Sequence, residues 1–170
     1  GESTLYSDPA MQALTVELWA ELSRRYTDRD EVAAYSLLAE PMSAPDAAAS
    51  VAMYDQLVRE IRGGGDNHLL VIHDGFFGID TLPVATEVGW ENVVYSTHFF
   101  EWGVESSQAY DVVRQLVDAQ IGTAQAEQDV PYFIGSFSTM VDAEWAYQSA
   151  TDYVDWYAEH GWGWALWTYK

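Results

Sequence analysis

The sequence predicts an α/β domain built on parallel strands, and two observations carry that reading. Helical and strand-like patterns alternate along all 170 residues with no repeat, low-complexity tract or interdomain linker. The composition, 49% hydrophobic and 15% aromatic, is enough for one domain with a sizeable core, so a single domain over residues 1–170 is expected.

The first helix is expected over Pro9 to Tyr26. Ser7 and Asp8 offer caps, Pro9 suits the first turn, and Met11, Leu14, Leu18 and Leu22 fall on one face. VAAYSLLAEP then reads as a strand ending near Ala39, and DAAASVAMYDQLVREIRGGG as a helix closed by glycines that tolerate the left-handed conformation. NHLLVIHDG is the next strand. After a short irregular or helical piece around Pro83, ENVVYSTHFFE supplies a third strand and SSQAYDVVRQLVDAQIGTAQ a long helix. VPYFIGS is the fourth strand, stopping at Gly135 and Ser136. A last helix covers about Val141 to His160, and GWGWALWTYK closes the order as a tryptophan-rich strand.

Charge narrows the partners. With 27 acidic against 7 basic residues, the net charge of -20 repels phosphate backbones and anionic bilayers, so neither nucleic acid nor membrane is an expected partner. The same surface suits a soluble, secreted protein, and a saline, halophilic habitat in which screening relieves self-repulsion. Cysteine is absent, which removes disulfides and thiolate metal sites. No cofactor is expected.

Parallel α/β folds place their sites at the carboxyl ends of strands. Those exits are Ala39, Glu40 and Pro41; His73 and Asp74; His98, Phe99, Phe100 and Glu101; Gly135, Ser136 and Phe137; and Trp167, Thr168 and Tyr169. Two histidines and several carboxylates and aromatics would converge on one rim. His73, Asp74, His98, Glu101 and Glu40 could in principle gather a divalent metal, but no HxH or HxxxH spacing supports it, and no metal site is expected.

LWAELSRRYTDRDEVAAYSLLAEP, followed at suitable intervals by VVYSTHFF, PYFIGSF and GWGWALWTYK, resembles the second half of glycoside hydrolase family five, the cellulase-like branch of the retaining β-glycosidases. The similarity covers nearly the whole chain. It implies a partial (β/α)8 TIM barrel holding about the fourth to eighth strands. It also implies that Glu40 stands at the general acid/base position, His98 at the family's histidine and Trp167 at the sugar platform. Three positions depart from the family pattern: Ala39 stands for an asparagine, Phe100 for a tyrosine and Ser136 for the nucleophilic glutamate.

A retaining glycosidase needs two carboxyl groups about 5 Å apart, one to protonate the leaving group and one to attack. Serine lacks the charge that stabilises an oxocarbenium-like transition state, and its hydroxyl is a weak nucleophile without a base beside it. The resemblance therefore implies a domain inactive as written, with a carbohydrate-binding or structural role toward a β-linked polysaccharide or oligosaccharide. The alternative is a β-glycan hydrolase in inactivated-mutant or split form, with Glu40 as acid/base. Natural decay and deliberate inactivation both fit Ser136. A barrel lacking its first three strands has open sheet edges, so a second chain or a homo-oligomer is expected to complete it.

Several residues carry plainer expectations. His68 reads as a strand-entry residue and His160 as a helix-end residue favoured by the negative pole there. Trp90, Trp102, Trp145 and Trp156 read as packing or interface, and His98 is equally compatible with a core position.

Overall fold

A computed structural model of the chain describes residues 4–100, 106–139 and 143–168. Five strands, β1 (Ala34–Ser36), β2 (Leu69–His73), β3 (Val93–Phe100), β4 (Tyr132–Ser138) and β5 (Gly163–Leu166), lie side by side in chain order. Every neighbouring pair is parallel. Helices α1 (Pro9–Tyr26), α2 (Ala47–Gly63), α3 (Ala85–Val88), α4 (Ser107–Gln128) and α5 (Glu144–Glu159) alternate with them, and a 3-10 turn (Ile79–Thr81) precedes α3. The result is a half-barrel, consistent with part of a (β/α)8 barrel.

Helix starts follow local chemistry. The Asp8 carboxylate accepts from Ala10 N–H at 2.9 Å with Pro9 beside it, and Asp46 accepts from Ala49 N–H at 2.8 Å. Ser106 Oγ accepts from Ala109 N–H at 3.2 Å. Helix α2 ends at glycine, with Gly65 at φ +87 where a side chain would be strained. Its residues Ser50, Met53, Tyr54, Leu57, Val58 and Ile61 are buried at helical spacing. They share one core with Leu70 and Ile72 of β2, while Leu69 and Val71, on the other face of that strand, are only half-buried.

Helix α1 has the expected bounds, but the expected apolar face is not the buried one. Met11, Leu14 and Leu18 are exposed, and the core is met instead by Val16 and Trp19, with Ser23 buried. Trp19 Nε1–H donates to the Leu37 carbonyl at 3.1 Å and its ring lies 5.9 Å from Tyr35. The sheet selects the face carrying the indole, which both packs and hydrogen-bonds.

The first strand is shorter than its apolar run suggests. At a sheet edge it has β2 on one side only, and beyond Ser36 its ladder continues through a single bond, Leu37 N–H to the Val71 carbonyl at 3.3 Å. The fourth strand is longer than expected and runs through Ser136 to Ser138. Thr97 pairs with Ile134 and His98 with Ser136, so Gly135 is an extra residue in the ladder. This is a β-bulge, which bends the strand and re-aims the side chains beyond it. A Cβ at Gly135 would lie 2.6 Å from Ser96 Oγ and 2.9 Å from His98 Nε2, so only glycine fits. The predicted first residue of the last helix, Val141, and the last residues of the final strand, Tyr169 and Lys170, lie outside the described residues.

Below the sheet, His68 does more than open a strand. Its backbone N–H and ring Nδ1 both meet Asp66 Oδ1 at 2.7 Å, and the Tyr35 hydroxyl donates to Asp66 Oδ2 at 2.7 Å. Arg62 ties the same corner by donating to the carbonyls of Asp66, His68 and Glu91. The Asp66 hydrogen bond raises the His68 pKa above 6.5, against a smaller opposing effect of burial. Burial opposes the Asp66 carboxylate, but the His68 and Tyr35 donors outweigh it and hold its pKa below 3.8.

A raised His68 contributes stability fully present below pH 6.5 and lost as pH rises through its folded pKa, whereas Asp66 contributes above pH 3.8 and loses it on acidification. The melting temperature of His68→Gln is therefore expected to fall furthest below wild type between pH 3.8 and 6.5, with the gap narrowing at higher pH. A gap independent of pH would contradict the pairing.

Candidate functional site

At the carboxyl ends of the strands a cleft of about 850 Å³ opens, lined by Ala39, Glu40, Met42, Phe76, His98, Phe100, Gly135, Ser136, Ala165, Leu166 and Trp167. All six site residues expected from the sequence, Ala39, Glu40, His98, Phe100, Ser136 and Trp167, fall on it together. Glu101 and Tyr169 lie outside the described residues.

Glu40 leaves β1 at φ +46, a left-handed conformation that costs a non-glycine residue about 1–3 kcal/mol. Pro41 follows, and its ring further disfavours helical conformations at the preceding residue. From this position the carboxylate reaches β3, where Glu40 Oε1 and His98 Nδ1 share a hydrogen bond of 2.7 Å. The histidine side chain is 17% exposed and the glutamate 36%, so the pair is accessible from the cleft. His98 is a lining residue, and its Nε2 faces the space above Gly135 that the missing Cβ leaves open.

His73 stands beside this pair with its ring centroid 4.2 Å from that of His98, edge to face. Burial, then the neighbouring His98, pushes its pKa down to about 3, so it is neutral. Its Nδ1 accepts from Gly75 N–H at 2.8 Å, which places the proton on Nε2. That nitrogen is buried and has no hydrogen-bond partner. Because Nδ1 is an acceptor, its 3.3 Å approach to Asp74 Oδ1 is not an ion pair. Asp74 is itself buried, which raises its pKa, and it accepts from Phe76 N–H at 3.1 Å and Thr97 Oγ1–H at 3.0 Å.

Asp74 thus acts as a brace for the loop after β2. That loop turns through Gly75 at φ +66 and Phe76 at φ +64, a second strained non-glycine residue on the cleft. Phe76 presents a half-exposed ring whose centroid lies 5.4 Å from that of His73 in an edge-to-face arrangement. Sequence reading did not single out Phe76 or Met42. The turn signal His73-Asp74-Gly75 before a phenylalanine was the available clue.

Ser136 is 8% exposed, and its Oγ has no hydrogen-bond partner. Trp167 is 64% exposed, its backbone N–H donates to the Phe137 carbonyl at 3.0 Å, and the Trp167–Thr168 peptide is cis. Of the other tryptophans, Trp90 and Trp156 are buried, with indole N–H groups donating to Asp55 at 3.1 Å and Asp118 at 3.0 Å, and Trp145 packs against the core. Trp102 lies outside the described residues. Trp162 is buried, while His160 caps α5 through a 2.9 Å bond from Nδ1 to the Trp156 carbonyl.

Among the described residues lining the cleft, Glu40 is the single carboxylate. No group of three or more metal-ligating side chains occurs among the described residues. The arrangement can hydrogen-bond hydroxyls and exchange a proton at Glu40. It offers an aromatic face for a sugar ring and, among the described residues, no second carboxylate.

Comparison with known proteins agrees with this architecture. The family model for Cellulase (glycosyl hydrolase family 5) matches residues 2–170. A beta-xylosidase of Phanerodontia chrysosporium is 24% identical over 94% of this chain and 38% of its own length. Endoglucanase C of Acetivibrio thermocellus is 29% identical over 58% of this chain and 29% of its own. The chain thus spans well under half the length of the curated relatives it matches.

Among solved structures, Thermotoga maritima Cel5A in complex with cellobiose aligns over 99% of this chain and 62% of its own with a TM-score of 0.84 at 19% identity. Endo-glycoceramidase II from Rhodococcus sp. in an iminocyclitol complex aligns over 94% of this chain and 41% of its own with a TM-score of 0.79 at 23% identity. At such identities these likenesses speak to the fold. The family match spans the chain from its second residue to its last, and the chain belongs to glycosyl hydrolase family 5.

Proposed function

We propose that this domain holds a β-linked oligosaccharide or polysaccharide in the cleft without hydrolysing it. The carrying observation is Ser136, a buried hydroxyl with no hydrogen-bond partner, one bulge away from the Glu40–His98 pair. In this reading Ser136 occupies the place of the nucleophilic carboxylate, Glu40 that of the acid/base and Trp167 that of the sugar platform. Double displacement then has a proton donor but no group to form the glycosyl-enzyme bond. Ala39 and Phe100 remove two further polar contacts. The acidic surface fits an extracellular protein bathed in salt.

A second reading rests on the intact Glu40–His98 hydrogen bond: an inactivated or split retaining hydrolase. The two readings separate in one assay series on aryl β-glucosides and cello-oligosaccharides. The chain as written is expected to give no turnover, and turnover abolished by Glu40→Gln would contradict the binding reading. Under the second reading, Ser136→Glu with Ala39→Asn regains hydrolysis when the complementary barrel segment is supplied. Silence from that revertant would sink it.

We also infer that the half-barrel is completed by a second polypeptide or a second copy. Among the described residues β1 and β5 are the sheet's two edges, and β5 is largely exposed. Light scattering at micromolar concentration is expected to give a mass above the monomer. A monodisperse monomer would contradict it.

A further inference from the structure

The binding reading leaves His73 without a role. It is 2% exposed at the end of β2, an interior strand of the sheet, so its contacts are made by this chain alone. Its Nδ1 accepts from Gly75 N–H at 2.8 Å, and its Nε2–H meets no acceptor among the described residues. A buried donor without an acceptor costs stability, and an apolar side chain would avoid that cost. What the imidazole meets instead is the ring of His98, centroid to centroid 4.2 Å away at an interplanar angle of 78°.

His98 is a ring that needs holding. An imidazole turned over about its ring torsion keeps its shape and exchanges a nitrogen for a carbon at each edge. As observed, Nδ1 meets Glu40 Oε1 at 2.7 Å, and Nε2 stands 2.9 Å from where a Cβ on Gly135 would lie. The turned ring would offer carbon at both places. Glu40 alone is a weak restraint, because its side chain is 36% exposed on a strained residue leaving the sheet. The rings of Phe76 and Phe100 are farther off, both with centroids at 6.4 Å, and neither is buried. His73 is the nearest ring and the buried one.

We propose that His73 is a positioning residue for His98: anchored by Gly75 N–H, it lies edge to face against the His98 ring and holds the orientation that gives Nδ1–H to Glu40 and Nε2 to the cleft. Histidine suits both tasks. Asparagine could accept from Gly75 but has no ring, and phenylalanine has the ring but no acceptor. The side chain must also stay neutral, since a second cation beside His98 would compete for the Glu40 carboxylate. Burial, then the neighbouring His98, keeps it so by pushing its pKa down to about 3. The consequence for a ligand rests on the carbohydrate-binding reading above: His98 Nε2 meets a sugar hydroxyl as a fixed acceptor.

Long-range proton–nitrogen NMR correlation on the intact chain reads which nitrogen of each histidine carries the proton. At alkaline pH, wild-type His98 is expected as a single Nδ1–H form. His73→Asn keeps the acceptor for Gly75 and removes the ring. It is expected to mix the Nδ1–H and Nε2–H forms of His98 while leaving the signals of His68 and His160 unchanged. His73→Phe keeps the ring and removes the acceptor, and is expected to retain the single form. Calorimetric affinity for cellotetraose is expected to fall roughly 2- to 10-fold in His73→Asn, the worth of one hydrogen bond.

Mixed forms in the wild type, which needs no variant to fold, would overturn the positioning role. So would a single form that survives in His73→Asn, or mixed forms in His73→Phe, each in a variant that circular dichroism shows to be folded. Mixed forms in His73→Asn with unchanged cellotetraose affinity would overturn the link from His98 to the ligand. No cellotetraose binding by any of the proteins, with the His98 forms as expected, would overturn the carbohydrate-binding reading and leave the positioning of His98 standing.

Discussion

The site depends on one extra residue in one parallel ladder. Gly135 sits between the Thr97–Ile134 and His98–Ser136 pairs, and its bulge brings Ser136 level with His98 at the cleft. A side chain there would strike Ser96 and the His98 ring. Removing the extra residue would also turn everything after it to the opposite face, since strand side chains alternate. Phe137 would then leave its place between Tyr153, Tyr157 and Trp164. Core packing and site geometry are therefore set by the same irregularity.

The two ends of β2 divide the labour. At the lower end Asp66, His68, Tyr35 and Arg62 satisfy one another and the surrounding carbonyls, which is what a structural polar cluster requires. At the upper end the polar groups are left incomplete: His73 Nε2–H and Ser136 Oγ are buried without partners, and Glu40 and Phe76 hold strained backbones. Unsatisfied donors and backbone strain both cost stability, and here they gather around one cleft. The contrast separates a corner whose polar groups are satisfied from a rim whose buried polar atoms and backbone are not.

Much of the fold and rim was legible in the sequence. Alternating patterns and caps located the long helices, and the strand exits together with the family resemblance put Glu40, His98, Ser136 and Trp167 on one rim. Less legible were features that depend on neighbours. Periodicity on α1 favoured the leucine face, because Met11, Leu14 and Leu18 outnumber the indole of Trp19 that contacts the sheet. A glycine inside PYFIGSF was a bulge signal that also fits a strand end. Phe76 and Met42 sit in loops, where hydrophobic periodicity carries no information. The role of His68 required knowing that Asp66 folds back onto it.

On this view a β-glycoside occupies the cleft and leaves it unchanged. A saturation-transfer difference NMR experiment on the protein with cellotetraose measures both halves in one tube. Saturation transfer to the sugar protons is expected, with the anomeric signals constant over the incubation. New anomeric signals from cleavage, or no saturation transfer at all, would contradict it.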